Sequence, residues 1–192
     1  MSFARGFKAY CERAVATLRS ELGVGAIEPI DMHALAEHLL IPVQSLLEVL
    51  TLSGTPRTDP LVEQIYGSVS AMTTFEGTLR SIIYNEEHSP LRHRSNMAHE
   101  LAHALLQHPP DNCGLAPEQV KLHEAEAAHL GGVLMLSSQQ AQQIALQRLS
   151  AEEASSRFHV SLEMLRYRLN VTGAKRVASR KAHWFSLPSI PA

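Results

Sequence analysis

Residues 94–103 read Arg-Ser-Asn-Met-Ala-His-Glu-Leu-Ala-His, which places H-E-x-x-H inside a segment with helical periodicity. Residues four apart share a helix face, so His99 and His103 can both turn imidazole nitrogens toward one metal ion. Glu100 stands one step round the helix, poorly placed as a third ligand and well placed as a general base acting on water. That pattern is the chemistry of a zinc hydrolase. Ser89-Pro90 marks the start of the helix, with proline at the first helical position, and Pro109-Pro110 is a hard stop. Between them Met97, Leu101, Ala104 and Leu105 recur at helical spacing, so one stripe of the motif helix is expected to be buried.

A catalytic zinc site takes three protein ligands and leaves one position open. The third cannot be a histidine in H-E-x-x-H-x-x-G-x-x-H, because Leu106 stands at the glycine position and Pro109 at the histidine position. The next helical segment offers His123-Glu124-Ala125-Glu126-Ala127-Ala128-His129. Packed antiparallel to the first helix, it can deliver one carboxylate to a His-His-Glu site. Glu124 is favoured, because Ala127 and Ala128 at its i+3 and i+4 positions permit close helix contact, and Glu126 is the second choice. His108, His123 and His129 are read as surface or satisfied polar residues.

The rest of the chain reads as a single domain over residues 1–192, mainly helical α+β, with a small sheet and a helical subregion over about 138–185. Phe3 to Glu21 is expected to be an amphipathic helix, and Asp31 caps a second one that ends at Ile41-Pro42. Val43 to Leu52 is ambiguous, and Ser53 to Pro60 is a loop by composition. Tyr66 to Phe75 and Thr78 to Tyr84, both rich in β-branched residues, form an expected hairpin around Glu76-Gly77. Its second strand is a candidate edge for pairing with an extended substrate. Asp111 to Ala116 is a loop, and Pro117 opens a long helix to about Leu136. Gly131-Gly132 within that helix implies a bend or a close approach to another backbone. Gln139 to Leu149, Ala151 to Phe158 and Leu162 to Leu169 follow as short helices, with a capping box at Ser150 and Glu153 and a cap at Ser161. Ser186 to Ala192 is expected to fray.

Two cysteines, Cys11 and Cys113, give no disulfide framework, and no stretch has the apolar run of a signal peptide or a membrane span. A soluble, cytoplasmic protein is the expectation. The net charge of −2 hides an asymmetry: from Met164 onward there are six Lys/Arg and no Asp/Glu.

Several ordered motifs together resemble the ImmA/IrrE family of metallopeptidases, from about Pro29 to Gly173. Pro29-Ile30-Asp31-Met32-His33-Ala34-Leu35-Ala36 is similar to the family's leading helix. Ile83-Tyr84-Asn85, Ser89, Arg92 and Arg94 resemble the approach to its Ala-His-Glu-Leu-x-His segment, here Ala98 to His103. Glu124-Ala125-Glu126-Ala127 followed by Leu134-Met135-Leu136 resembles its second helix, with Ala128 where the family usually has Asn or Asp. Phe158-His159-Val160-Ser161 and Arg168-Leu169 resemble its closing segment. The resemblance implies a zincin-like fold with Zn²⁺ as cofactor, and a regulatory role: cutting a helix-turn-helix repressor carried on a separate chain. On this reading Zn²⁺ is held by His99, His103 and Glu124, with Glu100 as the catalytic base. Tyr84, His129, His159 and Tyr167 are the candidates to stabilise the oxyanion.

Two other readings fit some of the same residues. Ala151 to Leu169 has the length and turn of a helix-turn-helix, and Arg166, Arg168, Lys175, Arg176, Arg180 and Lys181 could meet DNA phosphates. Alternatively the metal could hold the helices together in a sensor or interaction module without peptidase activity.

Overall fold

The computed structural model describes residues 3–110 and 114–185. The tail Ser186–Ala192, Cys113 and the first residues of the loop after Pro110 lie outside them. Among the described residues ten helices accompany a three-stranded sheet, so the fold is α+β and mainly helical. No described helix is long and apolar enough to cross a membrane.

The motif helix, α5 (Pro90–Leu105), runs through the centre. Met97, Ala98, Leu101 and Ala102 on it are all fully buried, which accounts for the small residues beside the motif: neighbouring helices must come close. Ser89 occupies its N-cap position but makes no side-chain capping bond. The Arg94 guanidinium instead ties the helix to the preceding segment, Nη1 donating to the Ile30 carbonyl at 2.6 Å. Against α5 packs α2 (Met32–His38), through Leu35 and Ala36, while α1 (Phe7–Glu21) joins the same core through Cys11 and Val15. Asp31 caps α2 as expected, its carboxylate accepting from the His33 and Ala34 amides. Burial raises the Cys11 thiol pKa to about 11, which makes it inert.

The helix α6 (Pro117–Met135) lies along α5 in the opposite sense, since Glu124 faces His99 and His103 while Gly131 meets Ala98. A Cβ added at Gly131 would come 3.1 Å from the Ala98 carbonyl oxygen. Gly131 therefore serves a close backbone approach, and the helix continues through both glycines.

The strands are β1 (Val43–Ser45), β2 (Ala71–Glu76) and β3 (Leu79–Tyr84), in the order β1-β3-β2. β2 and β3 form the expected hairpin, with Gly77 in the left-handed region at its turn (φ +61°). Two expectations change. The first strand does not start at Tyr66: α4 (Pro60–Ser68) takes up Tyr66 to Ser68. Asp59 caps at the Leu61 amide ahead of Pro60, and the helix so started buries Val62 and Tyr66 one turn apart. The second strand is not an edge, because β1 pairs parallel to β3 on its far side. β2 is the edge beside α5. The ambiguous stretch after β1 is α3 (Leu46–Ser53), opened by a capping box between Ser45 and Glu48.

α7 (Ser138–Gln147), α8 (Ala151–Phe158) and α9 (Leu162–Val171) complete the core through Ile144, Ala154, Phe158, Val160 and Leu165, and α10 (Ala174–Phe185) follows. Ser150 and Ser161 cap as expected. Arg168, counted above as a phosphate contact, is 1% exposed: Nε donates to the Leu136 carbonyl and Nη2 to Glu12 Oε1 at 2.9 Å. It is a structural cation of the interior, withdrawn from any nucleic-acid surface.

Candidate metal centre and cleft

One turn of α5 presents His99 and His103 to the same side, and α6 brings Glu124 opposite them. The two Nε2 atoms are 3.1 Å apart. Glu124 places Oε2 3.1 Å from His99 Nε2 and Oε1 3.2 Å from His103 Nε2. Among the described residues these three form the group whose donor atoms converge closely enough to hold a metal ion. Tetrahedral coordination at about 2.0–2.1 Å requires donors about 3.3–3.4 Å apart, so the observed spacings fit such an ion with little adjustment. Burial and the neighbouring His99 hold the His103 pKa below the usual imidazole value, which keeps a lone pair available for coordination.

Glu126, two residues from Glu124, points elsewhere: its Oε2 lies 3.4 Å from His108 Nε2. Glu100 is outside the converging group, one step round α5, and lines the cleft in front of it. Its Oε2 accepts from Thr73 Oγ1 at 2.6 Å, a bond from the edge strand to the motif helix.

The cleft has a volume of about 710 Å³. β2 from Ala71 to Phe75 forms one wall, with His99, Glu100, His103 and Glu124 at its floor and His108 and Pro109 at one end. Because, among the described residues, β3 pairs with only one side of β2, the backbone amides and carbonyls on the other side are available to a partner strand.

None of the four expected oxyanion donors lines this cleft. Tyr84 stacks on His93 at 4.0 Å, and His129 is buried against Phe3 and Phe7. His159 lines a separate cavity with Asp31, His33 and Arg94. Tyr167 is exposed on α9 beside Gly132. Two cleft residues escaped the sequence reading instead. Arg80, on β3, donates from Nη2 to the His108 carbonyl at 2.7 Å and from Nη1 to the His103 carbonyl at 3.4 Å. His108 is only 6% exposed, and burial together with the stacked ring of His123 pushes its pKa down to about 4, so it is neutral at pH 7. The signal available for His108 was its place just past the helix end and before Pro109-Pro110, where the chain must turn back.

A family model described as IrrE N-terminal-like domain, a metallopeptidase family, matches residues 67–170, more than half of the chain. The match begins just before β2 and ends within α9, so it holds the edge strand, both helices of the converging group and the core helices behind them. No curated protein matches the chain.

Proposed function

The chain belongs to the IrrE N-terminal-like family of metallopeptidases, and from that premise we propose that it is a zinc-dependent endopeptidase that cuts a helix-turn-helix repressor and so relieves repression. The observation that carries the reading is the convergence of His99, His103 and Glu124 within 3.2 Å of one another beside an unliganded carboxylate, Glu100. Two imidazoles and one carboxylate as the converging donors favour zinc among divalent metals.

When bound there, such an ion supplies Lewis acidity, polarising the scissile carbonyl and acidifying a water molecule. Glu100 takes a proton from the attacking water and returns it to the leaving amide nitrogen. Thr73 steadies Glu100, its hydroxyl donating to Oε2 at 2.6 Å. An extended segment of substrate pairs with the open side of β2, which sets its backbone across the cleft floor. Such pairing requires an unfolded stretch, so the cut falls in a linker or loop of the repressor rather than inside its helices.

The test uses zinc-loaded wild type and Glu100→Gln with purified helix-turn-helix regulators encoded beside the protein. Wild type is expected to cut one of them at a single linker, and Glu100→Gln to bind zinc equally and to lose cleavage by at least about 100-fold. Cleavage at the wild-type rate by Glu100→Gln would refute the assignment of the base. A metal-free wild type that is fully folded after zinc dialysis would refute the metallopeptidase reading itself.

A further inference from the structure

Only one of the two nitrogens of His103 faces the converging group. The other, Nδ1, lies 3.0 Å from Nδ1 of His108, and His108 turns its remaining nitrogen, Nε2, toward Glu126 Oε2 at 3.4 Å. Glu126 is itself largely enclosed, its side chain 17% exposed. The backbone enforces this arrangement. α5 ends with Gln107 in the left-handed region (φ +56°), the Gln107 amide bonded to the Ala104 carbonyl and the His108 amide to the His103 carbonyl, both at 3.0 Å. This paired closure of a helix end folds His108 back beneath His103. Arg80 then clamps the carbonyls of both residues with one guanidinium.

Protons follow from this geometry. Two ring nitrogens 3.0 Å apart share one proton, so one donates and the other accepts. A carboxylate near His108 Nε2 attracts an N–H and repels a lone pair, and at 3.4 Å that electrostatic preference suffices without a short hydrogen bond. His108 therefore carries its proton on Nε2 and accepts at Nδ1. His103 must donate from Nδ1, which leaves the lone pair of its Nε2 directed at His99 and Glu124.

We propose that His108 and Glu126 are positioning residues: a Glu126–His108–His103 chain that locks His103 in its metal-binding tautomer and orientation. This rests on the metal-site reading above and gives Glu126, two residues from Glu124, a task of its own. The two carboxylates on α6 divide the work, Glu124 toward the ion and Glu126 toward the ring that holds a ligand in place.

The experiment measures zinc affinity by competition with a chromogenic chelator for wild type, His108→Asn, His108→Gln and Glu126→Ala, with thermal unfolding of each metal-free protein alongside. An asparagine Oδ1 falls where His108 Nδ1 now accepts, so that variant keeps the acceptor for His103. A glutamine Nε2 falls where His108 Nε2 now sits, so that variant keeps the group facing Glu126 and loses the acceptor. The expected result is that His108→Gln binds zinc about 10- to 100-fold more weakly than wild type, and His108→Asn at least about tenfold more tightly than His108→Gln. Glu126→Ala still takes up one equivalent at saturating zinc, at reduced affinity. Loss of packing alone would lower the unfolding temperatures of both His108 variants without separating their affinities, and that outcome overturns the proposal. Wild-type affinity in Glu126→Ala overturns it too. A wild type that binds no zinc removes the metal-site reading along with it, whereas strong wild-type binding with no separation between the variants removes this inference alone.

Discussion

Gly131 and Gly132 are neighbours in sequence, and alanine at each should act in opposite directions. A Cβ at Gly131 would stand 3.1 Å from the Ala98 oxygen, 3.2 Å from the Ala98 carbon and 3.3 Å from the His99 nitrogen. All three are backbone atoms of α5, whose buried face is packed on several sides, so the helix cannot give way cheaply. Relieving the contact requires α6 to move off by about 0.3 Å or more, and overpacking of this kind costs about 1–3 kcal/mol. Alanine recovers about 1 kcal/mol of helix propensity, which leaves Gly131→Ala destabilised by about 1 kcal/mol. At Gly132 the nearest atoms are Arg168 Cδ at 3.4 Å, Met164 Sδ at 3.8 Å and Tyr167 Cε1 at 3.8 Å, all side-chain atoms at ordinary contact distance. Gly132→Ala should therefore keep its propensity gain of about 1 kcal/mol. A gap of about 2 kcal/mol corresponds to about 4–8 °C in unfolding midpoint for a chain of this size. Gly131 also lies two turns from Glu124 on the same face of α6, so moving α6 off there draws the carboxylate away from His99 and His103. Calorimetry of the metal-free proteins and zinc competition on the same samples would measure both effects. A Gly131→Ala protein that melts at or above Gly132→Ala, with wild-type zinc affinity, would show that the backbone approach has no part in building the site.

Replacing Arg168 by leucine should cost about 3 kcal/mol, since Glu12 Oε1 and the Leu136 carbonyl both lose their donor, and lysine should recover only part because its compact ammonium lacks the spread of the guanidinium that reaches both acceptors; chemical denaturation measures the loss. His93 and His129 both have pKa values held below the usual imidazole value, by burial first, then by His33 for His93 and by Arg168 for His129. A base whose pKa is lower in the folded state binds fewer protons there than in the unfolded chain. Stability is therefore full above the ordinary histidine pKa of about 6.5 and falls as pH drops below it. The unfolding midpoint of the metal-free protein should decline from pH 7 toward pH 5, and His129→Gln should decline less steeply; an equal slope would clear His129 of any part in the effect.

Much of the site was legible because it is written in local periodicity. Four-residue spacing alone puts His99 and His103 on one face, and the Pro109-Pro110 stop and Asp31 cap act through residues adjacent in sequence. The glycine pair offered a bend or a close approach, and the structure shows the second, at Gly131. The strand's start at Tyr66 failed for a physical reason: Asp59 and Pro60 start a helix whose buried face includes Val62 and Tyr66, and that helix runs on to Ser68 before the strand begins at Ala71.

Tertiary structure decided whatever depends on two distant segments meeting. That Glu124 and not Glu126 faces the histidines follows from the rotation of α6 against α5, which Gly131 sets from two turns away. That β2 rather than β3 is the open edge follows from three residues, Val43–Ser45, pairing across more than thirty positions of sequence. The turn of His108 beneath His103 needs a left-handed Gln107 and an arginine from another strand. By itself the sequence determined which side chains could perform the chemistry, because helix and cap geometry are local; which of them face one another was decided by packing, because side-chain identity carries no record of rotation about a helix axis.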